Sequence, residues 1–402
     1  MGSSPACAGS WQLGGSFIVL ASPVLPSADQ LAAAVSGTEE TIGAPLILDL
    51  SALAVRIATL KPDVVLLSVP GPLVGVVVRA IVGASVVRPV IVSGLPGIST
   101  PATKRAISQR AQVDYFELHS RWEIREFEKL VSRMEIEMLF GLATVPFLRR
   151  KPLPQKTRDR NQNGEVIFAT QAKAPGLKGD RLALLSWLAE SARRHPYLRV
   201  VVKVRAARGE QWTHGERFDY ADLIGELDPP APHNLGVAGG AMSDHLAGAA
   251  GLVTVSSTAA IEAMALSIPV IIVKDFGVSA ELINVVFDDG GLFGDCREVV
   301  EGRFRHPNAT WLDDNYFHAA EWNDWIEGVN ELLVTRATGV FPLEQWESGL
   351  LGGALRRAGD RKRALGRFDR SGSGMFALVV GTPLRCALIV LHGTRSRHAR
   401  WR

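Results

Sequence analysis

The chain has 402 residues, of which 47% are hydrophobic and 21% are charged. This length allows two domains that each bury a normal core, and the composition excludes a disordered chain. The three cysteines, Cys7, Cys296 and Cys386, are far apart and show no CxxC spacing, which argues against a disulfide framework and a structural zinc site. No apolar run reaches the ~18 residues that a membrane-spanning helix requires. We therefore expect a cytoplasmic globular protein.

The charge is unevenly distributed along the chain. Lysine and arginine number 44 against 41 aspartate and glutamate residues, which gives a net charge of +3. Residues 351–402 contain 11 arginines and Lys362 but only Asp360 and Asp369, a local balance of +10, so residues 1–350 carry −7. We expect this basic tail to be a solvated end, and its sequence does not decide whether it folds. Peripheral contact with an anionic membrane is the alternative, and no nucleic-acid partner is expected.

The first 148 residues alternate strand-like and helix-like segments. Because the strand-like runs are rich in valine and isoleucine and do not alternate polar with apolar residues, they predict a parallel sheet covered on both faces. We interpret residues 1–148 as a Rossmann-like domain. A loop with Gly94, Pro96 and Gly97 follows the fourth strand, at the carboxyl end where open α/β sheets bind ligands. The predicted strands are Phe17–Ala21, Pro45–Asp49, Asp63–Ser68 and Pro89–Ser93, with helices at Ala28–Val35, Leu73–Val82 and Arg121–Arg133.

A change of composition separates the two halves. Residues 149–164 contain two prolines and many charges without apolar periodicity, which predicts an interdomain linker. A second α/β alternation over residues 165–350 predicts another Rossmann-like domain, with closing helices at its end. Its predicted strands are Val166–Ala169, Arg199–Val204, Leu235–Val237, Leu252–Val255 and Pro269–Val273, with a helix at Arg181–Arg194.

Three consecutive hydroxyl residues, Ser256, Ser257 and Thr258, follow the strand Leu252–Val255 and precede an alanine-rich helix. One hydroxyl suffices to cap that helix, so three of them at a helix N-terminus indicate an anion site, such as one for the phosphate of a nucleotide. Glu262 misses the three-residue spacing of a capping box and is therefore available to a ligand.

Other polar residues are expected at the same edge of this sheet. Gln171 lies in the turn after the first strand of the second half. Lys203 and Arg205 share one face at the carboxyl end of the next strand, where either a phosphate or an ion pair with a carboxylate would account for them. His214 lies in the loop beyond, where the alternative is a solvated side chain.

Two Rossmann-like domains, a cationic strand end and a hydroxyl-rich turn together resemble glycosyltransferases of the GT-B fold. The string Ile261–Val270 is similar to the "EAMA-x-G-x-PV" helix of the nucleotide-sugar donor domain in that family. The resemblance implies an α/β fold of two Rossmann-like domains facing a cleft. It places the acceptor on residues 1–148 and the donor on residues 165–350. It also implies that Glu262 binds the ribose of the nucleotide.

Two narrower resemblances are also present. The paired hydroxyls, with His195 and Pro196 upstream, resemble the "HP" and "S-S/T" motifs of bacterial sialyl-, polysialyl- and capsule-type transferases, where they contact a cytidine nucleotide. The segments Leu95–Ser99, Val202–Arg205 and Val255–Glu262 together resemble a group of uncharacterised actinobacterial proteins assigned as glycosyltransferases.

The sequence departs from the family pattern at two positions. Thr254 stands where many retaining GT-B enzymes have a second glutamate, which argues against a standard retaining mechanism. Ser267 stands where the family usually has glycine, a change that is tolerable if the backbone there avoids positive φ.

The resemblance implies transfer of a sugar from a nucleotide-sugar to a cell-envelope glycan or a lipid-linked acceptor. GT-B enzymes typically need no bound metal, and the chain has no Asp-x-Asp motif, so neither a metal nor a cofactor is expected. An inverting transfer needs a general base near the acceptor hydroxyl. Asp114 and His119, which we take to follow a strand, are the first candidates, ahead of Glu117 and Glu123.

Two other functions fit the same sequence. One is an epimerase of UDP-sugars on the same fold, which would release a sugar isomer and a nucleotide. The other is a non-catalytic protein that binds a nucleotide or a sugar. The fold does not decide among them, because one architecture hosts several chemistries.

Overall fold

The computed structural model describes residues 14–26, 28, 31, 44–95, 97–145, 148, 164–204, 218–339 and 353–381. Strands and helices alternate through most of these residues. The strands are β1 (Ile18–Leu20), β2 (Leu46–Leu48), β3 (Val64–Leu67), β4 (Val90–Gly94), β5 (Tyr115–Leu118), β6 (Phe140–Leu142), β7 (Glu165–Ala169), β8 (Arg199–Lys203), β9 (Leu235–Ala238), β10 (Ala249–Thr254), β11 (Val270–Val273) and β12 (Phe293–Gly294).

The helices lie between these strands and after the last of them. They are α1 (Leu50–Leu60), α2 (Gly71–Ala84), α3 (Lys104–Arg110), α4 (Arg121–Met134), α5 (Lys178–Arg194), α6 (Tyr220–Leu223), α7 (Met242–Leu246), α8 (Ala259–Ala265), α9 (Cys296–Glu301), α10 (Ala309–Asp314), α11 (Trp325–Ala337), α12 (Ala354–Leu365) and α13 (Gly372–Phe376).

The largest sheet has six parallel strands in the order β12-β11-β10-β7-β8-β9. Its middle strands are largely apolar and buried, because helices cover both faces of the sheet; in β8 only Arg199, the first residue, is exposed. Val200, Val201 and Val202 of β8 are all buried, with successive side chains on opposite faces. One apolar cluster packs against α5 and another against α8. Polar residues just after β7, β8 and β10 therefore share one edge of the sheet.

The remaining strands form two smaller sheets. Strands β1 and β2 form a parallel pair, and a four-stranded sheet has the order β3-β4-β5-β6. Strands β5 and β6 are parallel, with Phe116 opposite Phe140. Helix α1 begins where the Asp49 carboxylate accepts the N–H of Ala52 at 2.8 Å, and α4 begins where Ser120 caps the N–H of Glu123 at 3.0 Å.

Two compact units divide the chain. The first comprises residues 1–92, 109–113 and 333–402, and the second comprises residues 93–108 and 114–332. The first unit has a core of apolar residues from β1, α1, β3, α2 and β4, which Leu365 of α12 completes. The second unit contains the six-stranded sheet with the two clusters that cover it. The predicted boundaries at residues 148, 164 and 350 stay predictions.

Several predicted segments fall wholly or largely outside the described residues. These are the helix at Ala28–Val35 and residues 149–163 of the proposed linker. Within the basic tail, whose folding the sequence left open, helices α12 and α13 are present, and residues 382–402 lie outside the described part. In the described ranges, no helix is both long and apolar enough to cross a membrane.

Candidate functional site

The hydroxyl turn, Ser256–Thr258, connects β10 to α8. Thr254, at the end of β10, donates its hydroxyl to the carbonyl of Ala169 at 2.9 Å and accepts the N–H of Ser257 at 3.1 Å. The hydroxyl of Ser257 accepts the N–H of Ala259 at 3.2 Å. Thr258 occupies the N-cap position, but its side chain makes no capping bond. Ser257 therefore supplies the local cap, which leaves the other two hydroxyls for other contacts.

Gln171 lies against this turn, as its position after β7 predicts. Its side-chain N–H donates to the Ser256 hydroxyl at 2.7 Å, and its oxygen accepts the N–H of Ser256 at 2.8 Å. A neighbouring bond, from the Thr170 hydroxyl to the carbonyl of Lys203 at 3.0 Å, ties β7 to β8. These bonds hold the carboxyl ends of three adjacent strands in one fixed arrangement.

Lys203 is a buried cation at this edge, and the guanidinium of the buried Arg181 donates to the carbonyls of Gln171 and Ala172 nearby. The Lys203 side chain is only 4% exposed, and its ammonium donates to the carbonyl of Val204 at 2.5 Å. A buried ammonium is costly unless it is hydrogen-bonded or paired with an anion, so this position is suited to a phosphate. Arg205 and His214, which we expected to join Lys203, lie outside the described residues.

Glu262 is in the first turn of α8, as predicted, and is half-buried while its helical neighbours are buried. The helix is only seven residues long, so its dipole by itself would attract an anion only weakly. Ser267 lies two residues beyond the end of α8, and its φ of 55° is in the left-handed region. A serine in place of the glycine usual in this family was expected to be tolerable only if φ is not positive, and that condition is not met. The positive φ of Ser267 costs about 1–2 kcal/mol of backbone strain.

The loop after β4 lies directly against the hydroxyl turn. Gly97 has a φ of +73°, and a Cβ at this position would come within 2.6 Å of the Thr258 Cγ2 methyl. Glycine is required here for both reasons. Gly94 is also tightly packed, since a Cβ there would be 3.1 Å from the carbonyl oxygen of Glu117. The structure thus brings Gly97 and Thr258 together, while Pro96 lies outside the described residues.

A buried carboxylate fixes the same loop. Glu123, which is 1% exposed, accepts the N–H of Ser99 at 2.8 Å, the hydroxyl of Tyr316 at 2.8 Å and the N–H of His119 at 3.1 Å. Burial raises the pKa of Glu123 above its usual value, although these hydrogen bonds oppose the shift. Burial and the nearby Glu123 carboxylate raise the pKa of Tyr316 as well. Glu123 is thus occupied in joining three segments, which leaves it poorly suited to act as the general base.

His119 and Asp114 lie at opposite ends of β5. His119 follows the strand, whereas Asp114 precedes it, so the expectation that Asp114 follows a strand is wrong. At about 3.3 Å per residue, five residues of extended chain separate the two by roughly 16 Å, too far to act on one atom. The Nδ1 atom of His119 is 2.9 Å from the carbonyl oxygen of Ala143. Because a carbonyl only accepts, Nδ1 carries the proton and Nε2 of the neutral ring presents a lone pair.

The family follows from a match over most of the chain. Residues 7–332 match the family described as "Putative glycosyltransferase (DUF6716)". The chain belongs to this family. The predicted resemblance to glycosyltransferases is therefore confirmed, while the narrower likeness to actinobacterial and capsule-type enzymes stays a prediction. No curated protein sequence matches this DUF6716 chain.

Solved structures resemble this DUF6716 chain in fold. A "putative UDP-N-acetylglucosamine 2-epimerase" from Listeria monocytogenes is 10% identical, with a TM-score of 0.50 over 81% of this chain and 88% of that one. The Medicago truncatula UGT71G1 complex with UDP-glucose is 11% identical, with a TM-score of 0.42 over 80% of this chain and 87% of that one. At such identities the likeness concerns the fold alone. The predicted α/β fold of GT-B type, with two Rossmann-like domains and parallel sheets, is confirmed.

The sequence reasoning missed three contributors to the site of this DUF6716 chain: Thr254, Tyr316 and the anchoring role of Glu123. The three-residue spacing of Ser120 and Glu123 is that of a capping box, and it could have predicted that the Glu123 side chain binds backbone N–H groups at the start of α4. Nothing local in the sequence indicates that Tyr316 reaches Glu123, because 193 residues separate them. Among the described residues, no group of three or more His, Cys, Asp and Glu side chains could hold a metal, and the metal-independent mechanism stays a prediction.

Proposed function

We propose that this protein transfers a sugar from a nucleotide-sugar to the hydroxyl of a cell-envelope glycan or a lipid-linked acceptor, without a metal. The observation that carries the proposal is the arrangement at the edge of the six-stranded sheet. There Gln171 and Ser256 are hydrogen-bonded, the buried Lys203 is the last residue of β8, and Glu262 lies in the first turn of α8. The family described as a glycosyltransferase family supports the same reading.

Each group has a role in the donor complex. Lys203 neutralises the phosphates together with Arg205 and His214, the two residues that the sequence predicts to join it. The hydroxyl turn, Ser256–Thr258, and Gln171 hold the phosphate or the nucleotide by hydrogen bonds. Glu262 accepts the ribose hydroxyls, as the resemblance of the α8 segment implies. Cationic and N–H groups on the leaving phosphate stabilise the charge that develops when its bond to the sugar breaks.

His119 is the proposed general base of an inverting transfer. As the acceptor oxygen forms its bond to the anomeric carbon, the hydroxyl proton moves to Nε2 of His119, and the bond from that carbon to the phosphate oxygen breaks. The carbonyl of Ala143 supports this role, because it holds the ring in the tautomer whose Nε2 can accept a proton. Thr254 makes only structural hydrogen bonds, in keeping with a mechanism that lacks a second carboxylate at this position.

A thermal-shift screen tests the donor site. The full chain is heated with UDP, CMP, GDP, ADP and dTDP, and one nucleotide is expected to raise the melting temperature, because a ligand that binds only the folded state stabilises it. Glu262→Ala should lose that shift, while the exposed control Glu321→Ala should keep it. No shift with any nucleotide would overturn the proposal.

Turnover then separates the transferase from its alternatives. A transferase consumes the stabilising nucleotide-sugar only when an acceptor is added and forms a new glycosidic product. An epimerase would release a sugar isomer and the nucleotide without any acceptor. Nucleotide binding without turnover over a broad panel of acceptors would identify a non-catalytic binding protein.

The C-terminal segment supports a location at the cytoplasmic face of a membrane. Helix α12 is rich in arginine, and exposed apolar side chains follow it at Met375, Phe376, Val379 and Val380. Basic residues beside an exposed apolar face are typical of peripheral binding to anionic lipid. Sedimentation with anionic vesicles should bring down the protein, neutral vesicles should not, and Phe376→Ser should weaken the effect. Equal sedimentation with both vesicles would contradict this part of the proposal.

A further inference from the structure

Arg181, near the start of α5, is a buried arginine whose guanidinium binds main-chain carbonyl oxygens. The residue is 1% exposed. Its Nε–H group donates to the carbonyl of Pro175 at 2.9 Å, and Nη1 donates to the carbonyl of Phe218 at 2.5 Å. Nη2 donates to the carbonyls of Gln171 and Ala172 at 3.1 and 2.8 Å. One side chain thus supplies hydrogen-bond donors to four loop carbonyls.

The chemistry of this position is specific to arginine. Burial removes the guanidinium from water, which is costly unless its N–H groups are hydrogen-bonded. Acceptors that lie in several directions match the planar fork of arginine, whereas a lysine presents all its donors on one nitrogen. The guanidinium carbon also lies 4.9 Å from the centre of the Tyr220 ring, which adds a cation–π contact. These contacts hold the guanidinium in one position.

The four carbonyls belong to two segments of the second unit. Residues 171–175 follow β7, and Phe218 immediately precedes Asp219, the cap of α6. Carbonyls outside helices and strands need other donors when they are buried, and Arg181 provides them here. Arg181 therefore fixes the segment after β7 relative to the segment that enters α6.

A path of hydrogen bonds leads from Arg181 to the hydroxyl turn. Arg181 holds the main chain of Gln171, and the side chain of Gln171 holds Ser256. The Gln171 amide donates to the Ser256 hydroxyl at 2.7 Å and accepts its main-chain N–H at 2.8 Å. Both bonds depend on where the main chain of Gln171 lies. Binding groups keep their geometry only when neighbouring residues support them in this way.

We propose that Arg181 is a positioning residue of the donor site, and that by fixing the main chain of Gln171 it orients the Gln171 amide toward Ser256. The inference rests on the proposed function, because it assigns Arg181 to the nucleotide site of that function. Arg181 acts through Gln171 and not by contact with the ligand. Its replacement is expected to weaken nucleotide binding and to leave the KM for the acceptor unchanged.

A double-mutant cycle on nucleotide affinity tests whether Arg181 acts through Gln171. The wild type, Arg181→Lys, Gln171→Ala and the double variant are titrated by calorimetry with whichever of UDP, CMP, GDP, ADP and dTDP stabilises the wild type most. Arg181→Lys should weaken binding about tenfold alone but less than about twofold beside Gln171→Ala, because residues of one hydrogen-bond network are not additive. Equal losses in both backgrounds, or wild-type affinity of Arg181→Lys, would overturn the inference.

A second buried arginine is the matched control. Arg110 is 3% exposed but lies in the first unit, so Arg110→Lys should leave nucleotide affinity unchanged. A loss of affinity equal to that of Arg181→Lys would assign the effect to general destabilisation and overturn the inference. If Arg181→Lys does not melt cooperatively, Tyr220→Leu takes its place in the cycle, because it removes the ring beside the guanidinium. Wild-type affinity of that variant would count against the positioning role.

The inference and the proposed function fail in different ways. If no nucleotide stabilises the wild type, the proposed function fails and the role of Arg181 falls with it. If the wild type binds a nucleotide and the cycle is additive, only the positioning role fails, and the donor site stands. Unchanged acceptor KM beside weakened nucleotide binding supports both.

Discussion

The ring of His119 illustrates how one main-chain contact determines what a side chain can do. The carbonyl of Ala143 selects the tautomer, and without it either ring nitrogen could carry the proton. The sequence identified His119 as a polar residue near a strand end. It could not identify the tautomer, because Ala143 lies 24 residues away and its position depends on the pairing of β5 with β6.

Replacing His119 by asparagine distinguishes the structural contribution of Nδ1 from the proposed catalytic contribution of Nε2. The amide N–H₂ of His119→Asn can keep the hydrogen bond to Ala143, but nothing replaces Nε2 as a proton acceptor. We expect turnover to fall by roughly 10²–10⁴, with the nucleotide-induced thermal shift unchanged. Steady-state kinetics against acceptor concentration checks this. If turnover is unaffected, the base is another group.

The buried carboxyl of Glu123 makes the stability of the fold depend on pH. Because burial raises its pKa above the usual 4.5, the folded protein holds this proton more tightly than the unfolded chain does. The stability that Glu123 contributes is therefore largest below pH 4.5 and declines as the pH rises from 4.5 through the raised pKa. The Tyr316 hydroxyl and the backbone N–H of His119 both donate to this carboxyl.

The variant Glu123→Gln should lose this dependence. The glutamine side chain retains one acceptor oxygen, but its N–H₂ group faces a donor that the carboxyl oxygen of Glu123 accepted. We therefore expect the free energy of unfolding to fall by about 1–3 kcal/mol at pH 5. The difference from the wild type should shrink between pH 5 and pH 8, because the wild type progressively loses the contribution of its proton as the pH rises. Urea unfolding at both values measures this, with the exposed Glu126→Gln as control. A difference that grows with pH would contradict the assignment.

At the scale of elements, the site depends on how closely the loop after β4 approaches the start of α8. The runs of apolar residues predicted β4, β7, β8, β10 and β11 to within three residues at each end, because a strand buried on both faces consists mostly of apolar residues. It did not predict β6, since Phe140–Leu142 is three residues long and contains a glycine. The apolar pattern around β5 is broken by Asp114 and Glu117, which is why Asp114 was placed after the strand instead of before it.

The close approach of Gly97 and Thr258 can be measured with a double-mutant cycle. Gly97→Ala places a methyl 2.6 Å from Thr258 Cγ2 at a positive φ, so it should cost about 1–3 kcal/mol and weaken nucleotide binding. Thr258→Ser removes that Cγ2 methyl and should recover part of the loss in the double variant. Unfolding free energies of the four proteins give the coupling, with Gly225→Ala as a control that meets no neighbour. Strictly additive effects would show that the two residues are not in contact.

At the scale of the whole molecule, the sequence predicted the fold class and missed part of the first unit's core. Two alternations of buried strands with helices are enough to indicate a pair of Rossmann-like domains. The role of α12 was not predictable, because its sequence is dominated by arginine and its few apolar residues show no long stripe. Leu365 is nevertheless 2% exposed and belongs to the core that contains Leu20 and Leu53.

Truncating Leu365 tests whether α12 is an integral part of that core. Leu365→Ala removes a buried side chain and should lower the free energy of unfolding by about 2–5 kcal/mol. Leu60→Ala, at a position 42% exposed, should have a much smaller effect. Urea unfolding measures both. Similar small losses would mean that α12 contributes little to stability.

Because Leu365 belongs to the core of the first unit, the order of synthesis on the ribosome affects when this unit can fold. Synthesis proceeds from the N-terminus, and domains generally fold as units while the chain emerges. The second unit is complete in sequence at residue 332, whereas the first unit must wait for α12, although most of its core was made first. The earliest apolar segments, from Leu20 to Ile91, therefore stay exposed through most of translation. They are the part of the nascent chain on which a chaperone would be expected to act.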